Sequence, residues 1–287
     1  MASETRTVGS IEITAIVDAD LELDPITDGF PDIPPDALVA DDDDAASVRT
    51  PGGNWRLRVR TWLIRRPASL LLVDTGIGGP TSPTQAWVPR PGDLLGDLLG
   101  ELAALGVAPG DIPTVVITHV HDDHVGGLLD ATGEPTFPNA RHVVQRADLE
   151  WQRALGAEND EDRAIWELLV PLETGGMLDV IDGDHALAEG IELQHLPGHT
   201  PGHQIVRITE SNARLTISAD TWNHPLQLMH PEWPSGPDND HAGAADARRA
   251  LRESIAAEPA TIVAASHLAW PFVTIDERGG DGAWLPA

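Results

Sequence analysis

Within the stretch Thr118-His119-Val120-His121-Asp122-Asp123-His124 the chain sets three imidazoles and two carboxylates. Imidazole and carboxylate together suit a divalent transition metal such as zinc. His119 and His121 lie two positions apart. In extended chain, residues at that spacing point to the same side, so both rings can reach one ion. Asp123 and His124 come two and three positions later, where a turn can send them to a second ion beside the first. The plainer alternative is a polar loop whose histidines hydrogen-bond locally. Loops rarely gather ligand types this densely without a metal. More ligand-type residues stand downstream, each at the end of a strand-like run: His199, Asp220 and His267. The chain has no cysteine, so any transition-metal site must use nitrogen and oxygen donors.

The elements that deliver these residues are legible in part from pattern. Residues 8–17 alternate apolar and polar side chains and predict a first strand. Residues 20–47 are rich in Pro and Asp and include Asp41-Asp42-Asp43-Asp44. That is too long for a turn and predicts a lid or surface arm over about residues 20–50. The four aspartates lack the spacing and turn glycine of a calcium loop. Residues 56–61 alternate strictly, so Arg56, Arg58 and Arg60 share one strand face, either solvated or holding an anionic substrate. Residues 70–73 read as a buried strand that ends in Asp74-Thr75-Gly76. Residues 80–91 read as a loop and 93–105 as a helix stopped by Gly106. Residues 114–118 form the strand that runs into the histidine loop, and Gly126-Gly127 permit tight turning beside it. Further strands are expected at 141–145, 177–181, 191–196, 204–209, 215–219 and 261–265. Helices are expected at 147–155, 162–169 and 244–257, with a Pro-rich loop at 222–241. This order predicts one α/β layered domain over residues 1–287.

Composition narrows the partners. The 287 residues are 41% hydrophobic, enough for a sizeable core. The net charge is -28 and every one of the 18 basic residues is Arg, so nucleic acid and anionic membranes are repelled. Residues 1–10 carry no apolar signal core, and no run approaches the roughly 20 apolar residues of a membrane helix. A soluble cytoplasmic protein acting on a small molecule is the expectation.

His119-x-His121-x-Asp123-His124 resembles the signature of the metallo-β-lactamase superfamily. Pro197-Gly198-His199-Thr200-Pro201-Gly202-His203, Ser218-Ala219-Asp220, Ser266-His267 and Val73-Asp74-Thr75-Gly76 resemble its other motifs, in the same order. The match spans roughly residues 8–270. The resemblance implies an αββα sandwich with the site at one edge of the sheets. It implies two divalent metal ions, usually Zn2+, with Mn2+ or Fe2+ in some branches. One ion would be held by His119, His121 and His199, the other by Asp123, His124 and His267, with Asp220 bridging. Asp74 would support a ligand histidine from behind, or else cap its own turn. The implied chemistry is hydrolysis by a hydroxide held between the ions, with Asp123 and Asp220 as the catalytic carboxylates. His203 fits the motif as a packing or supporting residue rather than a ligand.

Branches of the family differ in testable ways. Asp220 argues against a true β-lactamase, where Cys or Ser stands. The absence of Lys and Tyr argues against a glyoxalase II, and the acidic surface against a nuclease. The flavodiiron branch needs a flavin domain, for which this chain is too short. What remains resembles the quorum-quenching lactonases and methyl parathion hydrolases, acting on a small, fairly apolar ester, lactone or organophosphate. The lactonases place a Tyr near the substrate carbonyl and this chain has none, so Trp222 or His224 is the candidate for that region. His224 could also give a proton to the leaving group, or be an exposed loop residue. Trp87, Trp151, Trp166, Trp233 and Trp270 are candidates for an aromatic pocket or for packing. Related lactonases often dimerise through an arm, which suggests a homodimer. The alternative on the same fold is a mononuclear iron-dependent oxygenase resembling the persulfide dioxygenases.

Overall fold

The computed structural model describes residues 3–40, 48–67, 69–79, 96–258, 260–276 and 283–287. The run Asp41 to Asp44, the loop expected at 80–91 with Trp87, and the start of the helix expected at 93 lie outside these residues.

Two seven-stranded sheets account for the architecture. The first contains β1 (Glu4–Val8), β2 (Ile11–Pro25), β3 (Asn54–Arg66), β4 (Ser69–Val73), β5 (Thr114–Val116), β6 (Arg141–Gln145) and β7 (Leu178–Ile181), side by side in chain order. β1 to β4 pair antiparallel, and β4 to β7 pair parallel. The second contains β8 (His185–Ala188), β9 (Ile191–His195), β10 (Gln204–Glu210), β11 (Ala213–Ala219), β12 (Ile262–Ala265), β13 (Phe272–Asp276) and β14 (Ala283–Pro286). In this sheet only the β11–β12 pair is parallel. The helices are α1 (Ile26–Gly29), α2 (Pro35–Ala40), α3 (Leu98–Ala104), α4 (Asp122–Val125), α5 (Arg146–Gly156), α6 (Asp160–Thr174) and α7 (His241–Ala257).

The sheets pack face to face through alternate residues. Ile13, Trp62, Val73 and Val116 of the first meet Val206, Ile217, Ala264 and Phe272 of the second. Trp62 and Phe272 cross edge to face with ring centroids 5.4 Å apart. The outer faces are covered by helices. Leu98 and Leu102 of α3 seal Ile16, Leu63, Leu72 and Val115, while Leu251 and Ile255 of α7 seal Ile205, Val263 and Val273. The result is the αββα sandwich that the resemblance implied. Parallel strands need long crossovers, and the β5–β6 crossover is the one that carries the histidine loop and α4. No helix among the described residues is long and apolar enough to cross a membrane.

Several stretches differ from the pattern-based expectation. Residues 8–17 are not one strand but the end of β1, a turn at Gly9 with φ of +59°, and the start of β2. Alternation runs straight through a two-residue turn, so the period hides the reversal. The stretch expected as an arm begins as strand, since β2 continues to Pro25 and pairs with β3 as far as Asn54. Its apolar residues Leu21, Ile26, Phe30, Ile33 and Leu38 pack with Val48, Trp55, Leu57 and Ile77 as a core of their own. The arginines of β3 do not share one environment: Arg56 is exposed, Arg58 half-buried and Arg60 buried. Arg56 grips Asp20 with two bonds of 2.7 Å, and Arg60 is buried at 2% exposure.

His142, in β6, is fully buried at 0% exposure, and neither ring nitrogen has a hydrogen-bond partner. Burial therefore pushes its pKa down to about 4. An unfolded chain binds this proton near pH 6.5 and the folded one only near pH 4. The contribution to stability is thus present above pH 6.5 and is lost as pH falls toward 4. The expected loss is about 2 kcal/mol by pH 5. Urea unfolding of His142→Leu and wild type at pH 7 and pH 5 should show the wild type losing that much more than the variant. Equal losses would contradict the assignment.

Candidate metal centre

Each ligand-type residue reaches the site from the end of a strand. After β5 the chain bends at Thr118 and His119, is extended at His121, and winds into α4 with His121 at its N-cap position. That puts both rings on one side and swings Asp123 and His124 to the other. Gly127 follows because a Cβ there would collide with the Thr75 carbonyl oxygen. Its purpose is close approach of two loops rather than the turning expected from sequence. Asp74 and Ala219 adopt left-handed φ of 62° and 44°, unusual for residues with a Cβ. Ala219 also follows an irregularity in the β11–β12 register, which turns Asp220 out of the strand and into the site.

The seven residues converge. His121 Nδ1 lies 3.1 Å from both His119 Nε2 and His199 Nε2. Asp123 Oδ2 lies 3.5 Å from both His124 Nε2 and His267 Nε2. Asp220 stands between the two groups. Its Oδ1 is 3.2 Å from His124 Nε2, and its Oδ2 is 3.0 Å from His267 Nε2 and 3.4 Å from His199 Nε2. Donors at about 2.0–2.1 Å around a tetrahedral ion stand about 3.3–3.4 Å apart. The measured separations fit that figure. Three sets, His119/His121/His199, His119/His124/Asp220 and Asp123/His124/His267, each present one donor atom per residue within 4.8 Å of the others and could hold an ion.

The other ring nitrogen of four histidines is committed elsewhere. His124 donates Nδ1–H to Asp74 at 2.8 Å, His199 to Asp238 at 2.9 Å, and His267 to the Arg58 carbonyl at 2.7 Å. His119 Nδ1 donates to Thr118 Oγ1 at 3.1 Å, because that hydroxyl already donates to Asp74. Each of these bonds fixes the tautomer and leaves an Nε2 lone pair facing inward. Electrostatics favours a cation at the same point. Burial drives the pKa of His119 and His121 well down. It also opposes charge on His124 and His267, yet the surrounding carboxylates Asp123 and Asp220 outweigh it and raise both. Asp220 is held well below its ordinary value because His267, His124 and His119 outweigh its burial. Donor set, spacing and field all fit divalent metal ions.

Sequence reading missed the supports that come from far along the chain. Asp238 accepts from His199, from the Ser235 N–H and from Arg248. Asp148 accepts from the Val120 N–H, Thr200 Oγ1 and the Gly202 N–H, tying the His119–His121 loop to the His199 loop. His203 receives the Asp220 N–H on Nε2 and donates Nδ1–H to the Leu196 carbonyl, which fits its supporting role.

A cleft of about 200 Å³ opens onto the centre. Its wall combines His121, Asp123, Asp220 and His267 with Leu23, Trp55, Leu57, Asn223 and Pro237. Trp222 and His224 are not part of that wall. Trp222 is buried under α7 against Trp284, with ring centroids 5.1 Å apart. His224 is buried behind the cleft, edge-on to Phe30 at 5.0 Å, with Nδ1 accepting the Leu226 N–H. Of the tryptophans expected near a pocket, Trp151 approaches His121 at 5.9 Å, Trp166 lies under Arg153 and Trp233 stacks on His230. Trp270 is partly buried against the α7 core. The aromatic residue on the wall is Trp55, which stands just before the strictly alternating run 56–61 and carried no sign of a site.

A family model described as metallo-beta-lactamase superfamily matches residues 55–267. An N-acyl homoserine lactonase of Bacillus sp is 28% identical over 198 residues, covering 66% of this chain and 73% of its own length. The N-acyl homoserine lactonase AttM of Agrobacterium fabrum is 32% identical over 190 residues, covering 58% and 67%. Among solved structures, that of AidC, a dizinc quorum-quenching lactonase in complex with a product, matches with a TM-score of 0.83 at 21% identity, over 100% of this chain and 97% of that chain. At that identity the structural likeness is one of fold.

Proposed function

The chain belongs to the metallo-beta-lactamase superfamily and is a metal-dependent hydrolase, and from that premise we propose that it opens the ring of a small lactone bearing an apolar acyl group. The observation that carries this reading is the shared carboxylate: Asp220 turns Oδ1 to His124 and sets Oδ2 between His267 of the same cluster and His199 of the other, beside a cleft with an apolar flank. His119, His121 and His199 would hold one divalent ion, and Asp123, His124 and His267 the other, with Asp220 common to both. Thiolate-free nitrogen and oxygen donors suit zinc first, with manganese or iron admitted by the same set. Such ions, when bound, polarise a carbonyl and lower the pKa of water to about 7.

The chain's own residues do the rest. Leu23, Trp55 and Leu57 give the cleft an apolar flank for an acyl chain, and His121 and Asp123 border the reacting end. Asp123 lines the cleft and is placed to take a proton from the attacking water and return it to the ring oxygen as the C–O bond breaks. Water adds across that bond, leaving a hydroxy acid. Asn223, three residues after Asp220, is the buried residue of this stretch that lines the cleft, where Trp222 or His224 was expected. The relatives carry hydrolase names, which gives no support to an iron-dependent oxygenase.

A pH-indicator screen of metal-loaded protein tests the proposal, using short- and long-acyl homoserine lactones, aryl esters, an organophosphotriester and a β-lactam. Turnover of acyl lactones well above the others is expected. Turnover confined to the phosphotriester or to aryl esters would replace the lactone with that substrate class.

A further inference from the structure

We propose that Arg60 is a positioning residue for the ion assigned to Asp123, His124 and His267: its guanidinium fixes the loop that carries His267 and so sets the occupancy of that ion but not of the other. The proposal rests on the two-ion reading above.

Arg60 sits on β3 at 2% exposure, and none of the carboxylates among the described residues forms an ion pair with it. Burying a cation without a carboxylate is costly and demands another source of compensation. Here that source is one short loop. Nη1 donates to the carbonyls of Ala265 at 3.1 Å, Ser266 at 2.9 Å and Leu268 at 2.7 Å, and Nη2 donates to that of Ala269 at 3.0 Å. The residue enclosed by these four is His267.

The loop needs such a clamp. β12 and β13 pair at Val263–Val273 and Ala264–Phe272, and the connection between them turns out of that ladder. Its carbonyls therefore need other donors in a buried setting. A charged, planar fork bonds several carbonyls more strongly than neutral donors do and holds them in one geometry. A fixed positive charge is otherwise unwelcome behind a site meant for cations, so attraction of the ion does not explain it; placement of the loop does. β3 supplies a second restraint two residues earlier, where the Arg58 carbonyl receives Nδ1–H of His267 at 2.7 Å. One strand thus sets both the backbone and the ring of His267.

The other cluster is held by different residues. Asp148 ties the loops of His119, His121 and His199 together, and Asp238 fixes the His199 ring. Arg60 bonds to neither carboxylate. The effect of losing it should therefore fall on one ion.

The test counts metal, not turnover. Wild type, Arg60→Met and Arg60→Lys would be loaded with zinc, desalted and assayed by mass spectrometry for ions per chain, then titrated with a competing chelator. Wild type should hold two. Arg60→Met should loosen one ion about 10–100-fold and leave the tighter one unchanged. Arg60→Lys, which keeps the charge but not the fork, should fall between. The double variant Arg60→Met/His267→Ala should bind no more weakly than His267→Ala alone. Unchanged affinity for both ions in Arg60→Met would overturn the proposal, and so would equal loosening of both. If Arg60→Met does not fold, Arg60→Lys carries the same test with the same overturning outcomes. A wild type holding one ion would overturn the two-ion reading together with this proposal. A silent lactone panel with two ions bound would count against the substrate alone.

Discussion

Asp220→Asn should lower turnover by about 10²–10³-fold or more while the far-UV circular dichroism stays that of the wild type. The substitution keeps shape and removes charge. In the folded chain one carboxylate oxygen faces His124 and the other faces His267 and His199, at 3.0–3.4 Å. An amide can offer an oxygen in one direction only, and its NH2 would point a donor at ring nitrogens that present lone pairs. The negative charge shared by the two clusters goes as well, leaving Asp123 as the one carboxylate among the assigned ligands. The fold should tolerate the change. The Asp220 N–H bond to His203 is a backbone bond, and the left-handed turn at Ala219 is set by the strand end rather than by the carboxylate. The measurement is kcat on the best lactone from the screen, with ions per chain counted in parallel. Near-normal turnover with two ions bound would remove Asp220 from its shared role.

Why some of this centre is legible in sequence and some is not follows from chain geometry. His119, His121, Asp123 and His124 are contiguous, so strand spacing and one turn bring them together without reference to the rest of the fold. His199, Asp220 and His267 are separate strand ends. Nothing local says that the ends of β5, β9, β11 and β12, from two different sheets, meet at one point, and only the motif order made these residues candidates. The supports are less legible still. Asp238 meets His199 across 39 positions, and Asp148 meets Thr200 across 52, through loops with no repeating pattern. Arg60 looked like one of three equivalent arginines because alternation assigns a face and not a depth. The misplacement of Trp222 has the same origin. Its nearness to Asp220 in sequence made it a candidate, but β11 ends at Ala219, and the turn that follows sends Trp222 to the α7 side instead. Pattern also gives no sign of β8, β13 and β14, the last of which carries a Pro.

Chelation should abolish activity and lower the melting temperature by on the order of 15 °C, and added zinc or manganese should restore both. An ion present at 1,000 times its dissociation constant stabilises the folded chain by about 4 kcal/mol. Two such ions give about 8 kcal/mol, and a chain of this size moves by about 2 °C per kcal/mol. The stripped protein should nonetheless stay folded near neutral pH. Burial alone would keep His124 and His267 neutral, but Asp123 and Asp220 raise their affinity for protons above the ordinary imidazole value. Protons can therefore partly stand in for the missing cations. The sign of the pH effect follows. A raised pKa gives stability that is present at pH values below 6.5 and is lost as pH climbs through the folded value. Metal binding runs the other way, since ligands must shed protons to coordinate. The gap in melting temperature between loaded and stripped protein should thus widen from pH 6 to pH 8. Scanning calorimetry on both forms at the two pH values reads it directly. A gap that narrows over that range, or turnover that survives chelation, would show that the cluster of histidines and aspartates does not work by holding metal.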